Sequence, residues 1–174
     1  AWKKRVGEQK AQQIATESAN IGTVMHRSLE KHVKGESRKP GSNLVQQKGY
    51  NMANVIIEHG LNNVSEVWGS EISLYYPELY AGTTDLIGVY KNSPAIMDFK
   101  QSRKLKKKEW VEDYFLQLVA YSEAHNKQYD TNIKSGRIFI CTQKNEFQTF
   151  ELENYDSWAS KWYAKLEQYY KLVL

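Results

Sequence analysis

The 174 residues carry 24 lysines and arginines against 20 aspartates and glutamates, a formal charge of +4, and the length suits one domain with a sizeable core and leaves little room for a second. The single cysteine, Cys141, excludes an internal disulfide framework, a zinc ribbon and a four-cysteine iron–sulfur cluster, each of which needs several sulfur ligands, and points to a reducing compartment. No apolar run approaches the roughly 18 residues of a membrane span and the opening AWKKRVGEQK lacks a signal peptide's apolar core, so a soluble intracellular protein with no membrane partner is expected, its start at Ala1 suggesting an element upstream.

Residues 8 to 20, rich in Glu, Gln, Ala and Lys, predict a helix. A second follows over 22 to 34, GTVMHRSLEKHVK, with Met25, Leu29 and Val33 at helical spacing before Gly35 stops it. NLVQQKGYNMANVIIEHG sets Leu44, Val45, Met52, Val55 and Ile56 on one stripe and predicts a third helix, with Gly60 as its C′ cap. The pattern then turns to period two: VSEVWGSEISLYY, LYAGTTDLIGVYK and PAIMDFK predict three consecutive antiparallel strands. KEWVEDYFLQLVAYSEAHNK, about 108 to 127, returns to helical spacing, SGRIFICTQ and EFQTFEL predict a further strand pair, and SWASKWYAKLEQYYKLVL a closing amphipathic helix with Trp158, Trp162 and Leu166 on one face. The predicted order is αααβββαββα, a single α/β domain over residues 1–174 with a mixed sheet flanked by helices.

Charged residues rarely sit inside sheet-forming segments unless something pairs with them, which singles out Asp85 in TTDLIG and Asp98 with Lys100 in IMDFK. Residues two apart in a strand share a face, so Asp98 and Lys100 project together while Met97 and Phe99 point into the opposite apolar layer. A two-residue turn at Lys91 and Asn92 pairs Tyr90 with Ser93 and brings Asp85 opposite Asp98. Two carboxylates about 5 Å apart at their Cβ atoms repel unless a cation lies between them, and a divalent metal answers that repulsion.

His26 and Glu30 stand one helical turn apart on a stripe with Leu29 and Val33, and so face inward. Gln117 and Tyr121 repeat the i, i+4 spacing on the helix after Lys100, with Tyr114 on the same face. KQSRKLKKKEW puts six cations, Lys100, Arg103, Lys104, Lys106, Lys107 and Lys108, in nine residues, the one place where the weak global charge concentrates, and suits a track for a phosphate backbone. Each feature has a plainer reading: Asp85 capping a turn, Asp98 and Lys100 as a surface ion pair on an edge strand, His26 as a hydrogen-bonded core histidine, Gln117 and Tyr121 as core-boundary residues, and the basic run as a solvated loop. Glu71, in the first strand, is a further acidic candidate whose simpler account is exposure.

An acid, then thirteen positions later acid-x-lysine, here Asp85 followed by Asp98, Phe99 and Lys100, resembles the PD-(D/E)XK nuclease superfamily. Gly22, His26 and Glu30 before the sheet and Gln117 and Tyr121 after it resemble the G-x-x-x-H-x-x-x-E and Q-x-x-x-Y motifs of its RecB-type branch. DFKQSRK with LQLVAYSEAHN, and WKKRVGEQKA at the start, are similar to the mitochondrial genome maintenance exonucleases and their phage relatives. Aspartate stands at Asp98 where glutamate is commoner, and Gln101 where threonine is frequent; neither removes a ligand. The resemblance implies a restriction-endonuclease-like core and a metal-dependent DNA exonuclease acting on single-stranded ends. It implies Mg²⁺ or Mn²⁺ held by His26, Asp85, Asp98 and the Phe99 carbonyl, with no iron–sulfur cluster. Lys100 would act on the attacking water or the developing charge, Glu30 on a second metal or water, and Gln117 and Tyr121 on Lys100 or the phosphate, while Ser102, Arg103, Lys104 and Lys106 would hold the DNA backbone. The oligomeric state stays open. A cytoplasmic setting, in a bacterium or the host of a phage, is expected over a mitochondrion. A catalytically silent single-strand-binding module and a restriction-type endonuclease on the same fold remain alternatives.

Overall fold

The first two predicted helices are one. In the computed structural model, which describes residues 1–174, a short helix α1 (Trp2–Val6) is followed, after Gly7 at φ 85°, by the 26-residue helix α2 (Glu8–Val33). A glycine inside a helix costs only about 1 kcal/mol relative to alanine, and packing at Gly22 outweighs that cost: the Gln101 side chain lies 3.1 Å from where a Cβ would stand. Helix α3 (Leu44–His59) starts at a capping box in which Asn43 and Gln46 satisfy each other's backbone N–H groups. Gly60 does not end it as a left-handed cap, its φ being −110°. A Cβ there would sit 2.9 Å from both the Ile56 carbonyl and the Phe139 ring, so close packing is what calls for glycine.

The strands fall where period two places them: β1 (Val64–Tyr76), β2 (Tyr80–Tyr90), β3 (Ser93–Ser102), then helix α4 (Glu112–Tyr129), β4 (Ser135–Thr142), β5 (Phe147–Glu151) and the closing helix α5 (Tyr155–Val173). They form one sheet in chain order, antiparallel throughout except that β4 runs parallel to β3, to which α4 is the crossover. The mixed α/β class and the element order αααβββαββα stand, with α1 supplying the helix lost when the two predicted ones merge.

Both faces of the sheet are covered. Met25, Leu29, Met52, Ile56, Leu86, Met97, Phe99 and Phe139 form one core beneath α2 and α3, together with Cys141, whose thiol burial pushes up to about 12. Ile87, Ile96, Phe115, Val119, Ile138 and Ile140 form the other beneath α4, with Trp158 and Trp162 of α5 packed against it. The alternation of Ile96 with Met97, and of Ile138 with Phe139, shows β3 and β4 buried on both sides, as central strands flanking a parallel pair must be. Full burial of each such side chain contributes about 1.5–3 kcal/mol. No helix is long and apolar enough to cross a membrane.

Candidate active site

The β2–β3 hairpin sets the geometry. Lys91 and Asn92 both take positive φ, 46° and 70°, the paired left-handed conformation whose twist suits a two-residue hairpin. The expected register follows, from Tyr90 opposite Ser93 to Leu86 opposite Met97. The next pair would be Asp85 with Asp98, and there the ladder stops. Asp85 Oδ2 accepts the Phe99 N–H at 2.8 Å, replacing a backbone bond with a side-chain one.

Strict alternation fails at the same point. A Cβ on Gly82 would touch Tyr121 of α4, whereas Leu86, four residues on, packs under α2 and α3, so β2 slips by one face between them. On the neighbouring strand Glu71 falls between Ser70, paired with Leu86, and Ile72, paired with Thr84, and takes φ 50°. This left-handed residue in mid-strand turns the Glu71 carboxyl to within hydrogen-bonding reach of Asp85.

His26 reaches the gap from α2. Its Nε2 lies 2.7 Å from the Phe99 carbonyl oxygen, to which it donates, and 3.7 Å from Asp85 Oδ2. Burial holds the imidazole below its usual pKa, with Asp98 opposing and Lys100 reinforcing the shift, so it is neutral near pH 7. Asp85 is raised to about 9, first by burial and then by hydrogen bonding to and charge on Asp98, while the Phe99 N–H works the other way. Glu71 is raised as well, by burial and then by the charge of Glu30. Glu30 itself sits on the rim, 2.5 Å from Lys34 Nζ on the next helical turn and only partly inward.

Asp98 and Lys100 project toward α4. Asp98 is only 4% exposed, and Lys100 Nζ stands 2.7 Å from its Oδ2, outside hydrogen-bond angles, which leaves that oxygen buried with no directed donor. Burial works against the Lys100 ammonium, but the charge and closeness of Asp98 outweigh it and hold its pKa above the ordinary lysine value. Lys100 Nζ also donates to Gln117 Oε1 at 2.9 Å, Gln117 Nε2 donates to the Tyr121 hydroxyl at 3.1 Å, and the ammonium lies over the Tyr114 ring at 4.8 Å. One turn of α4 therefore fixes the lysine through a chain of two hydrogen bonds. Gly82 makes room for it, because a Cβ would stand 2.8 Å from the Tyr121 ring.

The donor set fits a divalent cation. Four carboxylates, Glu30, Glu71, Asp85 and Asp98, gather around two lysines, Lys34 and Lys100, an excess of two acidic groups that a cation would offset. Hard oxygens with one imidazole suit Mg²⁺ or Mn²⁺. The side chains do not stand closed at ligating spacing: His26 keeps its proton on the Phe99 carbonyl and Lys100 leans on Asp98. Closing the set requires His26 to release that carbonyl and carry its proton on Nδ1, which frees the Nε2 lone pair while the ring stays neutral.

The structure thus brings together His26, Glu30, Asp85, Asp98, Phe99, Lys100, Gln117 and Tyr121, and places Glu71 beside them, exposed as its simpler account expected yet with its carboxyl turned toward Asp85. A left-handed glutamate in mid-strand leaves no mark in an alternation pattern. The basic loop runs away from this centre. Arg103 lies over the Trp2 ring at 5.8 Å, which tethers α1, and Lys104 and Lys107 flank the half-exposed Trp110 at 5.6 and 5.4 Å. Lys108 pairs with Glu153 at 3.1 Å. Lys106 is pinned through its backbone to the Gln148 side chain. Ser102 is buried, and its hydroxyl donates to the Lys104 carbonyl at 2.6 Å, so it shapes the loop and offers no free hydroxyl at the surface.

A mixed sheet in this order, with an acid on one hairpin strand, acid-x-lysine on the next, a histidine from the preceding long helix and a glutamine from the following one, resembles the arrangement of the PD-(D/E)XK nuclease superfamily. No family model matches the chain. Over 97% of its length it is 29% identical to mitochondrial genome maintenance exonuclease 1 of Mus musculus and 26% identical to that of Homo sapiens. The match covers 52% of each, so the chain spans about half the length of these curated relatives. Among solved structures, a Eubacterium rectale protein assigned as an exonuclease superposes with a TM-score of 0.59 over 85% of this chain and 64% of that one, at 9% identity, a likeness of fold.

Proposed function

We propose that this chain is a metal-dependent nuclease domain that hydrolyses phosphodiester bonds of DNA, working from single-stranded ends in DNA processing of the replication or recombination kind. The observation that carries the reading is the buried Asp98–Lys100 pair, 2.7 Å apart and held from α4 by Gln117, beside a second acid whose carboxyl burial and Asp98 push up to about 9. The relatives named as exonucleases support the nuclease class.

Asp85, Asp98, His26 and the Phe99 carbonyl would hold Mg²⁺ or Mn²⁺. That ion supplies Lewis-acid stabilisation of the scissile phosphate and lowers the pKa of water bound to it. Lys100, kept charged by Asp98, orients the attacking water or meets negative charge developing on the phosphate oxygens. Gln117 and Tyr121 hold the ammonium in one place, so little of its motion has to be frozen during reaction. Glu30 and Glu71 give the far side of the site acceptors for water or a second ion. Arg103, Lys104 and Lys106 lie beyond the end of β3, where they would hold the phosphates of a strand whose end is being cut.

The test is a time course on 5′- and 3′-labelled single strands with Mg²⁺ or Mn²⁺, alongside circular single strands and end-blocked duplexes. Mononucleotide or short-oligonucleotide release from one end, stopped by EDTA, is expected. Cutting of circles as fast as of linear strands would make the chain an endonuclease, and binding without cleavage under every divalent ion would make it a binding module.

A further inference from the structure

Behind Lys100, between α4, α5 and the start of β2, lies a cavity of about 490 Å³ that none of the proposed catalytic roles uses. Its walls are Tyr80, Tyr114, Tyr121 and Trp162, with Lys100 and Gln117 at the inner end. The volume falls within the range of small-molecule sites, and the pattern of aromatic walls with a few polar groups is theirs too. The walls are fixed. Tyr80 donates to the Ala120 carbonyl at 2.7 Å and meets Trp162 edge-on at 5.0 Å between centroids. The Trp162 indole N–H is buried near the Tyr80 hydroxyl but outside hydrogen-bond geometry, so a donor in this wall has no acceptor.

Charge decides what fits. At the mouth Asp113 and Lys165 stand 3.5 Å apart and largely cancel, and inside, Lys100 is matched by Asp98 at 2.7 Å. A phosphate gains nothing deeper in the cavity, whereas a flat, neutral, weakly polar ring can stack on tyrosine and tryptophan. We infer that this cavity receives one unpaired nucleobase, that of the nucleotide next to the scissile phosphate, stacked against Trp162. The inference rests on the nuclease reading and deepens it. A base inside a duplex has both faces stacked and its pairing edge engaged, so only a base already free of its partner enters without paying for unstacking. The pocket thereby gives single-strand preference a physical origin at the cut itself.

The experiment scans a single abasic residue along a short single strand, with wild-type protein and with Trp162→Leu and Trp162→Phe. Cleavage is followed with Mg²⁺, and equilibrium binding is followed in EDTA. In the wild type, an abasic residue at one position, and not at its neighbours, should slow cleavage of the adjacent bond and weaken binding by about 10-fold or more, the range of a single base–aromatic stack. Trp162→Leu should treat intact and abasic strands alike, and Trp162→Phe should retain most of the difference. Wild-type indifference to the abasic residue at every position overturns the inference with no variant needed, as does full discrimination by folded Trp162→Leu. If no substrate is cut under any divalent ion, the nuclease reading fails, and the binding scan still judges the pocket by itself.

Discussion

Replacing Asp85 by asparagine should make the metal-free protein more stable while removing its chemistry. Asp85 accepts the Phe99 N–H at 2.8 Å, which favours the carboxylate, but burial and the facing Asp98 outweigh that bond and raise its carboxyl to about 9. A carboxyl raised in the folded state binds a proton that the unfolded chain has already released. Its contribution to stability is therefore fully present below the unfolded value near 4 and is lost as the pH climbs toward about 9. One such proton is worth at most about 1.4 kcal/mol per pH unit, or roughly 4 kcal/mol between pH 5 and 8. Because neighbouring acids respond together when one of them changes, about half of that, ~2 kcal/mol, is expected from this one substitution. Asparagine accepts the same N–H and gives its own to Asp98, so it keeps the contacts and sheds the charge. Urea or thermal unfolding in EDTA should show the variant gaining on wild type from pH 5 to pH 8, with a melting-temperature difference of about 4–8 °C at pH 8 for a chain of this length. A variant less stable than wild type at pH 8, or a difference that does not change with pH, would refute the account of the buried acids.

The same raised carboxyl predicts that adding Mn²⁺ or Mg²⁺ raises the melting temperature of wild type more at pH 8 than at pH 6, because an ion must displace the proton on Asp85, and raises that of Asp85→Asn little; calorimetry across pH checks it. Gln117→Leu should lower the single-turnover cleavage rate about 10–100-fold while leaving strand affinity within about twofold, as removal of a group that only aims Lys100 would; equal losses in rate and affinity would count against it. Gly82→Ala should do the same by pushing the Tyr121 ring away, with Tyr121→Phe restoring little, a comparison readable in the same assay. Neutralising Arg103, Lys104 and Lys106 together should flatten the log–log dependence of single-strand binding on salt by about 2, at ~0.7 per phosphate contact, without altering the rate at saturation.

Much of this architecture is written locally. Lys91-Asn92 specifies its own turn, the register follows from it by counting, and the alternation of Ile96, Met97, Asp98 and Phe99 distributes side chains between two cores. The spacing of Gln117 and Tyr121 likewise puts both on one face of α4, although only the folded chain shows that the face meets Lys100. What period-two reading misses is the place where the period breaks. The slip between Gly82 and Leu86, and the left-handed Glu71 beside it, arise where β2 meets helices on both faces, and no local propensity encodes them. The helix division near Gly22 fails for the opposite reason: local propensity argues for a break, and the packed Gln101 side chain overrides it. Trp162 reads from sequence as one more apolar position on a closing helix, and its role as a wall beside Lys100 depends on where α5 comes to rest.

His26 meets the Phe99 carbonyl across 73 positions of chain, and Lys100 is aimed by a helix on the opposite side of the sheet from the one bearing His26. Neither half of the molecule holds a working set of groups. A newly made chain that has docked α2 and α3 but not α4 has its acids without an ordered lysine, and one that has formed β3, α4 and β4 alone has the lysine without the histidine. On the proposed nuclease reading, hydrolytic competence would be tied to the last long-range docking event, partly folded or clipped molecules would be harmless to nearby nucleic acid, and cleavage would serve as a stringent reporter of complete folding.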